Sequence, residues 1–517
     1  MPADQRMRVL QDLSMGMLGY SGIPQDTRLM FKTFSRLKDV DVTGLLSEMG
    51  PGFTRRISTK RMPAKQRGVF NGSMFLLGVS GIDTDRVGGS RLSRLKRRMQ
   101  MMGEPLSRYG VAPLDFDSLD DAIWRLFFDK TLEAADREHI LSQKFALTNL
   151  NFVTFLRRFR SSMFTPPRLD TRGYDFLVTS EPRPIRVSDG TRHIARFHDA
   201  IPITDADMFD NVDVVNTAFN MVYRSSPRAI FSCVSQPSEE ALLRIFPQLK
   251  GRTTTIPNAL PEVNPANARI LPVAEIVRAR SSNASWGNAE ERGSLREEAL
   301  GKLSGAKPFR YILAVSTIEP RKNFTAVVRA WERMRYQHET DVKLVIVGRP
   351  GWRFEPTLAA MRPRILEGSL LHLQDVSNVE LQALYAQAEC LVSPSFSEGF
   401  GFPPLEAMQW GTPAVVSDIP AHRWAMGDAA LFVDPYSVPD IARKITQLVV
   451  ADDRETLRRE LRARATRVLA RYSPERVGEQ WAELFARLKR GEGPVSSLTS
   501  GQALPQVAAG RDLAAAE

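Results

Sequence analysis

The sequence predicts an α/β protein built as two doubly wound, Rossmann-like domains facing a cleft. Three observations carry that expectation. At 517 residues the chain is too long for one hydrophobic core. Its second half alternates strand-like and helical runs: "FRYILAVSTI" then "NFTAVVRAWERM", "VKLVIVG" then "NVELQALYAQA", "CLVSPSF" then "PLEAMQW", "TPAVVSD" then "DIARKITQLVV". Such alternation implies parallel βαβ units, with ligands at the carboxyl ends of the strands. The first half opens in the same way, with a strand, a glycine loop and a helix.

Taken in order, "MRVLQDLSMGM" reads as a strand, and Gly16, Gly19 and Gly22 space the loop after it. That spacing is G-x-x-G-x-x-G and not the dinucleotide fingerprint, so it is weak as a motif. Asp26 or Thr27 can cap a helix whose Leu29, Met30, Phe34 and Leu37 recur at helical steps. Residues 51–170 read as an irregular elaboration with helical patches such as "DAIWRLFFDKTLEAA". Order returns with the strands "YDFLVTSEP" and "RHIARFHDAIPI", then the strand, loop and helix of "AIFSCVSQPSEEALLRIFP", and "TTTIPNALP" closes this half. The expected organisation is a first domain over 1–268 with an insertion at about 50–170, and a polar linker over 269–305. A second domain follows over 306–472, then a helix over 473–490 returning to the first, and a disordered Gly/Ala/Ser-rich tail over 491–517.

Composition narrows the class. Hydrophobic residues at 43% and charged residues at 25% describe an ordinary soluble protein. Only Cys233 and Cys390 are present, which excludes a disulfide framework and fits a reducing cytosol. The first residues lack the apolar core of a secretion signal, and no apolar run reaches the roughly 18–20 residues of a membrane span. A cytoplasmic protein is expected, peripheral on the inner face of the membrane if its charge is used there. That charge is +11, and it is local: from 51 to 110 there are 13 Arg and Lys against Asp83, Asp85 and Glu104. Within it "RLSRLKRRMQMM" (91–102) has the pattern of a basic amphipathic helix. It fits an anionic membrane surface, or equally a helix packed on its own domain; missing aromatic interleaving argues against nucleic acid.

The densest chemistry lies in "SFSEGFGFPPLEAMQWGTPAVVSD", from Ser395 to Asp418. Glu398 leaves a strand edge, Gly399 and Gly401 let backbone amides approach a ligand, and a helix with proline in its first turn carries Glu406. Two hydrogen-bond acceptors beside a helix N-terminus suit a polyhydroxylated ligand bearing phosphate. The plain alternative is a βα loop with helix-capping acids. "EPRKN" puts Arg321 and Lys322 just past another strand, where they either neutralise a diphosphate or form a solvated basic turn.

From Ala314 to Pro435 the chain resembles the retaining, GT-B-fold glycosyltransferases of family GT4, and more loosely the mannosyltransferases among them. "STIEPRKN", "LVIVGRPGW", "SPSFSEGFGFPPLEAMQWGTPAVVSD" and "GDAALFVDP" occur in the family's order, with "HDAIPI" and "VSQPSEEAL" in the first half. The resemblance implies that Glu398 contacts a donor-sugar hydroxyl and Glu406 the ribose hydroxyls. It implies that amides of Phe400, Gly401 and Phe402 hold the sugar and its phosphate, and that Arg321 and Lys322 neutralise the departing diphosphate. His198, with Asp199 beside it, is expected next to the reacting sugar; Gly22, Gly348 and Val376 complete the donor-binding set. Two departures stand out: Ser316 replaces a usual glycine, and "AHRWAMGDAA" offers no carboxylate near Trp424.

The implied reaction is front-side attack with the nucleotide phosphate taking the acceptor's proton, so the protein positions groups and stabilises charge. No metal is expected, because "DTD" (83–85), "DFD" (115–117) and "DAD" (205–207) lack the context of a metal site. No cofactor is expected beyond a nucleotide-sugar substrate, with GDP-mannose favoured. The expected function is hexose transfer, mannose favoured, to a glycan or lipid-linked acceptor in surface polysaccharide or glycolipid synthesis. A nucleotide-sugar epimerase of the same fold and a non-catalytic basic binding protein are the alternatives.

Overall fold

Strands buried on both faces need near-continuous apolar sequence, and the strands of the second half have it. The computed structural model describes residues 6–20, 22–47, 108–114, 120–148, 150, 166–209, 212–225, 227–263, 271–281 and 309–498. The basic stretch at 91–102 and the acidic triplets at 83–85 and 115–117 lie outside them. The chain divides into two units, one holding the described residues of Met1–Val234, Ser238–Ala259 and Pro474–Ser496. The other holds those of Ser235–Pro237, Leu260–Ser473 and Ser497–Glu517.

The first unit is built on strands β1 (Met7–Asp12), β2 (Val40–Ser47), β3 (Arg108–Tyr109), β4 (Val111–Leu114), β5 (Lys144–Thr148), β6 (Arg168–Leu169), β7 (Phe176–Thr179), β8 (Arg192–Phe197), β9 (Ile230–Cys233) and β10 (Thr253–Thr255). Eight of them form one sheet in the order β10-β9-β8-β7-β1-β2-β5-β4; β3 and β6 pair separately. Every pairing in the large sheet is parallel except β4 with β5. Alternate side chains cover its two faces. Leu10, Leu45 and Leu177 pack with Ile185 and Met221 on one. On the other, Phe176 meets Phe485 at 4.9 Å, and Phe34 meets Trp481 and Phe485 edge-on at 5.0 and 5.4 Å. Trp481 and Phe485 belong to the last long helix, Pro474–Lys489, so chain from beyond the second unit completes the core of the first. Within the stretch read as irregular, β5 pairs with β2 in register from Thr43 opposite Lys144. A five-residue strand, "KFALT", is too short to show a period.

In the second unit, strands β11 (Tyr311–Val315), β12 (Lys343–Val347), β13 (Leu370–Leu373), β14 (Cys390–Ser393), β15 (Ala414–Ser417) and β16 (Leu431–Val433) form a parallel sheet ordered β13-β12-β11-β14-β15-β16. That is the doubly wound order, and it reverses between β11 and β14. Ile312, Ala314, Leu344 and Ile346 face helices Phe324–Gln337 and Val438–Val449, through Trp331, Met334, Ile441 and Ile445. Tyr311, Leu313, Val345 and Leu373 face the opposite way, onto Ala383, Leu384 and Ala407. The same layer takes Ile276 and Val277 from the helix Val273–Arg280, so some of the stretch read as linker is core.

Parallel strands at the reversal come close where their loops begin. A Cβ on Gly348, just past β12, would lie 1.8 Å from the carbonyl oxygen of Ser316, just past β11. Gly348→Ala therefore forces the two loop backbones apart; we expect it to cost about 2 kcal/mol or more. Gly110→Ala, with nothing within 4 Å of the added carbon, should be neutral. Thermal unfolding of the two variants checks the contrast, and equal midpoints would refute it.

Candidate active site

The second unit's site forms where the strand order reverses, because the loops leaving β11 and β14 emerge side by side there. After β11, Pro320–Lys322 makes one 3-10 turn and Asn323 ends it in the left-handed region, at φ 57°. Asparagine tolerates that conformation better than most residues. Its Nδ2 then donates to the carbonyls of Pro394 (3.1 Å) and Pro435 (2.8 Å), which ties the loops after β11, β14 and β16 together. The Phe396 amide donates to the Arg321 carbonyl at 2.9 Å and closes the same seam.

This scaffold brings Arg321, Lys322 and Glu398 into contact. Arg321 Nη1 donates to Glu398 Oε2 at 2.9 Å and to the Ser397 carbonyl at 2.7 Å, while Lys322 Nζ donates to Glu398 Oε1 at 2.5 Å. The other edge of the guanidinium meets Glu319 at 2.7 Å. Burial alone would raise the Glu398 carboxyl, but Lys322 and Arg321 more than reverse that and hold it well below the usual carboxylate range. Burial also lowers the Lys322 ammonium against the pull of Glu398. The first shift favours an ionised pair and the second a neutral one; the short contact and the second cation decide for a charged pair at neutral pH. Burial raises Glu319 in turn, opposed by Arg321 and Lys322.

Around this cluster three buried polar atoms, Ser395 Oγ, Ser397 Oγ and His422 Nε2, have no hydrogen-bond partner. Buried polar atoms are normally satisfied, so such a concentration at one strand edge is a ligand-site signature. Gly401 caps the helix Phe402–Gln409 at φ 91°, a conformation glycine takes without strain, and Pro403 and Pro404 occupy the helix's first turn. The rings of Phe400 and Phe402 are buried, Phe400 against Phe402, Tyr472 and Trp424 at 5.3, 5.3 and 6.4 Å. Any ligand contact from these two residues falls to their backbone. Glu406, in the helix that follows, accepts from the Tyr385 hydroxyl at 2.9 Å. Val376 has its side chain in the core, and Gly348 sits against Ser316.

Of the residues singled out from sequence, Arg321, Lys322 and Glu398 converge directly, and Gly401 adjoins them. Asn323 and His422 were not singled out. The asparagine's αL turn has a sequence signal in "RKN", whereas His422 stands in a stretch whose evident feature is the carboxylate missing near Trp424.

The first unit has its own reversal, between β7 and β1. His198 follows β8, and its Nε2–H donates to the Ser180 carbonyl at 2.9 Å, past the end of β7. Burial lowers the imidazole's pKa, although Asp26 at 3.9 Å opposes this, so the ring is neutral with Nδ1 as its acceptor. Asp26 also takes Arg196 at 2.9 Å; that guanidinium reaches Ser232, the Ile256 carbonyl and Asn258 as well. Asp199 accepts from the Ile201 amide at 3.0 Å, at the start of a short helix. Gly22 ends the loop after β1, where its carbonyl receives the Asp26 amide. Buried Arg28 holds that loop through the carbonyls of Gly16 and Gly19. Asp205 and Asp207 lie at a short helical turn, and the described residues gather no group of three or more His, Cys, Asp or Glu suited to a metal ion.

The sign of the pH dependence follows from Glu398. A carboxyl held below its unfolded value contributes fully above the ordinary carboxylate pKa of about 4.3, and loses that contribution as pH falls further. Glu398→Gln takes the carboxylate from Lys322 and leaves Arg321 with Glu319; it should cost about 3 kcal/mol at pH 7, with the gap to wild type narrowing below about pH 4. Unfolding midpoints of both proteins from pH 7 to 3.5 check this; a constant gap would contradict the ionised pair.

Residues 296–468 match the family model for glycosyl transferases group 1. Among curated proteins the chain is 35% identical over 142 residues to the O-antigen chain mannosyltransferase B of Escherichia coli, covering 28% of this chain and 37% of that one. It is 35% identical over 126 residues to the O-antigen chain mannosyltransferase RfbU of Salmonella typhimurium, covering 24% and 34%. The matched region thus spans about a third of the length of these curated relatives. Among solved structures, the sucrose-phosphate synthase of Thermosynechococcus elongatus superposes with a TM-score of 0.55 at 14% identity, over 94% of this chain and all of that one. Anabaena HepE in complex with UDP-glucose gives 0.50 at 12%, over 93% and 100%. The fold is that of the GT-B glycosyltransferases, and the stretch 296–468, about a third of the chain, is similar to the group 1 glycosyl transferases.

Proposed function

We propose that the chain is a retaining glycosyltransferase. It moves a hexose, with mannose favoured, from a nucleotide-sugar to a glycan or lipid-linked acceptor in surface polysaccharide or glycolipid synthesis. The observation that carries this is the Arg321–Lys322–Glu398 cluster at the strand reversal, ringed by buried polar atoms without partners. The mannosyltransferase relatives favour mannose, and with it GDP-mannose as donor.

On this reading Arg321 and Lys322 share their charge with the donor's diphosphate as it departs, where most of the negative charge develops. Two fixed cations supply what a metal would supply elsewhere, and the reaction is read as metal-independent. Glu398 accepts from a sugar hydroxyl and Glu406 from the ribose. The neutral His198 orients the reacting sugar through Nδ1, with Asp199 fixing the turn that follows it. The acceptor's proton passes to the leaving phosphate, so no side chain needs to act as nucleophile or strong base. No helix among the described residues is long and apolar enough to cross a membrane. We place the protein in the cytoplasm, peripheral on the inner face of the membrane through the basic segment at 51–110, with no role for nucleic acid.

A thermal-shift panel with GDP, UDP, ADP, GDP-mannose and UDP-glucose, without added metal, tests the reading. One nucleotide should stabilise the protein selectively, by roughly 2.7 kcal/mol at a hundredfold excess over its Kd. The shift should vanish in Arg321→Ala and Glu406→Ala. With that donor, Arg321→Ala should lower kcat/KM by about 10²–10³-fold, the range for losing one group that stabilises transition-state charge. A protein that no nucleotide stabilises would end this reading.

A further inference from the structure

We propose that His422 is a donor-recognition residue whose Nε2 accepts a hydrogen bond from a hydroxyl of the transferred sugar. The inference rests on the glycosyltransferase reading above and assigns a contact that this reading lacks.

His422 lies in the helix Pro420–Met426, which follows β15, and its side chain is fully buried. Its two nitrogens have different surroundings. Nδ1 lies 3.1 Å from the Ser417 carbonyl and 3.0 Å from the Ser417 hydroxyl. A carbonyl oxygen can only accept, so Nδ1 carries the proton. Burial lowers the pKa of the ring, against the pull of Glu398, which leaves it neutral. Nε2 then presents a bare lone pair, and that atom is buried without a partner. An orphaned acceptor in a packed interior costs stability, and its retention calls for a reason.

The direction of that lone pair supplies one. Nε2 lies 3.2 Å, and Cδ2 3.1 Å, from where a Cβ on Gly401 would sit, so the ring edge abuts the backbone at the head of the helix Phe402–Gln409. The charges of Glu398, Lys322 and Arg321 all act on it. Ser395 Oγ and Ser397 Oγ, the other orphaned atoms of this strand edge, belong to the loop that carries Glu398. A lone pair cannot bond to an ionised phosphate, which has no proton to give. A hydroxyl can donate to it, and the acceptor next to the diphosphate cations would meet the sugar attached there. Position 424, where a carboxylate is missing, holds a tryptophan packed on Phe400, Tyr472 and Arg471. His422 provides an acceptor two residues earlier.

Two substitutions separate the ring's halves. His422→Asn keeps a polar group where Nδ1 meets Ser417 and removes the distal acceptor; His422→Gln restores an acceptor near the Nε2 position. Calorimetric titration would compare GDP with GDP-mannose and UDP with UDP-glucose, using the pair that binds the wild type. We expect His422→Asn to bind the nucleoside diphosphate within twofold of wild type and the nucleotide-sugar about tenfold more weakly, with His422→Gln recovering most of the loss. Equal weakening of both ligands, no weakening of either, or no recovery by Gln would overturn the assignment while leaving the transferase reading in place. A wild type that binds neither member of either pair would overturn the reading, and the assignment with it.

Discussion

One carboxylate held between two cations, Glu398 with Arg321 and Lys322, is the contact on which the second unit's architecture converges. The three residues come from two loops 76 residues apart in sequence at the nearer pairing. They meet only because β14 lies next to β11 instead of next to β13. That adjacency requires an all-parallel sheet whose strands are apolar on both faces. It also requires Gly348, whose missing side chain lets the neighbouring loop start against Ser316, and Asn323, whose amide pins three loops at once. Each of these is a packing or backbone feature, yet each has the same consequence: it fixes where two positive charges stand.

Buried charge also occurs in the first unit, where Arg196 and Arg28 are answered by the protein itself. Arg196 meets Asp26, Ser232, Asn258 and a carbonyl, and Arg28 meets the carbonyls of its loop and the hydroxyl of Thr131. A guanidinium so well supplied with acceptors holds a loop and leaves little for a ligand. The second unit's edge differs because Ser395, Ser397 and His422 each keep one polar atom buried and unanswered. Unmet hydrogen-bonding capacity, more than the presence of charge, separates a candidate site from a structural ion pair.

The alternation of strand and helix was legible because the central strands are buried on both faces and helices such as Phe324–Gln337 and Val438–Val449 are amphipathic. Where the period fails, sequence reading fails with it. The helix Glu355–Glu367 contains Pro363 and buries only Thr357, Met361 and Ile365, so it has little stripe to detect. Arg454–Leu469 is dominated by arginine, and the apolar side chains it buries, Leu461, Ala465 and Val468, make only a thin stripe. The site was legible to the extent that its chemistry is local: "PRK" and "SEGFG" announce charges and glycines at strand ends. What could not be read is which atom of a residue faces the site. Val376 buries its side chain in the core, and the lone pair on His422 is exposed as an orphan only by the position of Ser417. These are facts of three dimensions with no counterpart in spacing.

The charge balance of the cluster bears on what it would accept. Glu319 and Glu398 offset Arg321 and Lys322, so the four groups are neutral together before any ligand arrives. A diphosphate alone would bring net negative charge into a buried place and compete with Glu398 for both cations, at a desolvation cost that pairing only partly returns. A ligand that also carries hydroxyls changes the balance. As the phosphates draw the cations away, a hydroxyl can donate to the freed Glu398 oxygens, and another to the His422 lone pair, so no acceptor is left bare. Phosphate and hydroxyls on one molecule therefore suit this arrangement better than either alone, and a nucleotide-sugar is the simplest molecule to offer both within one span.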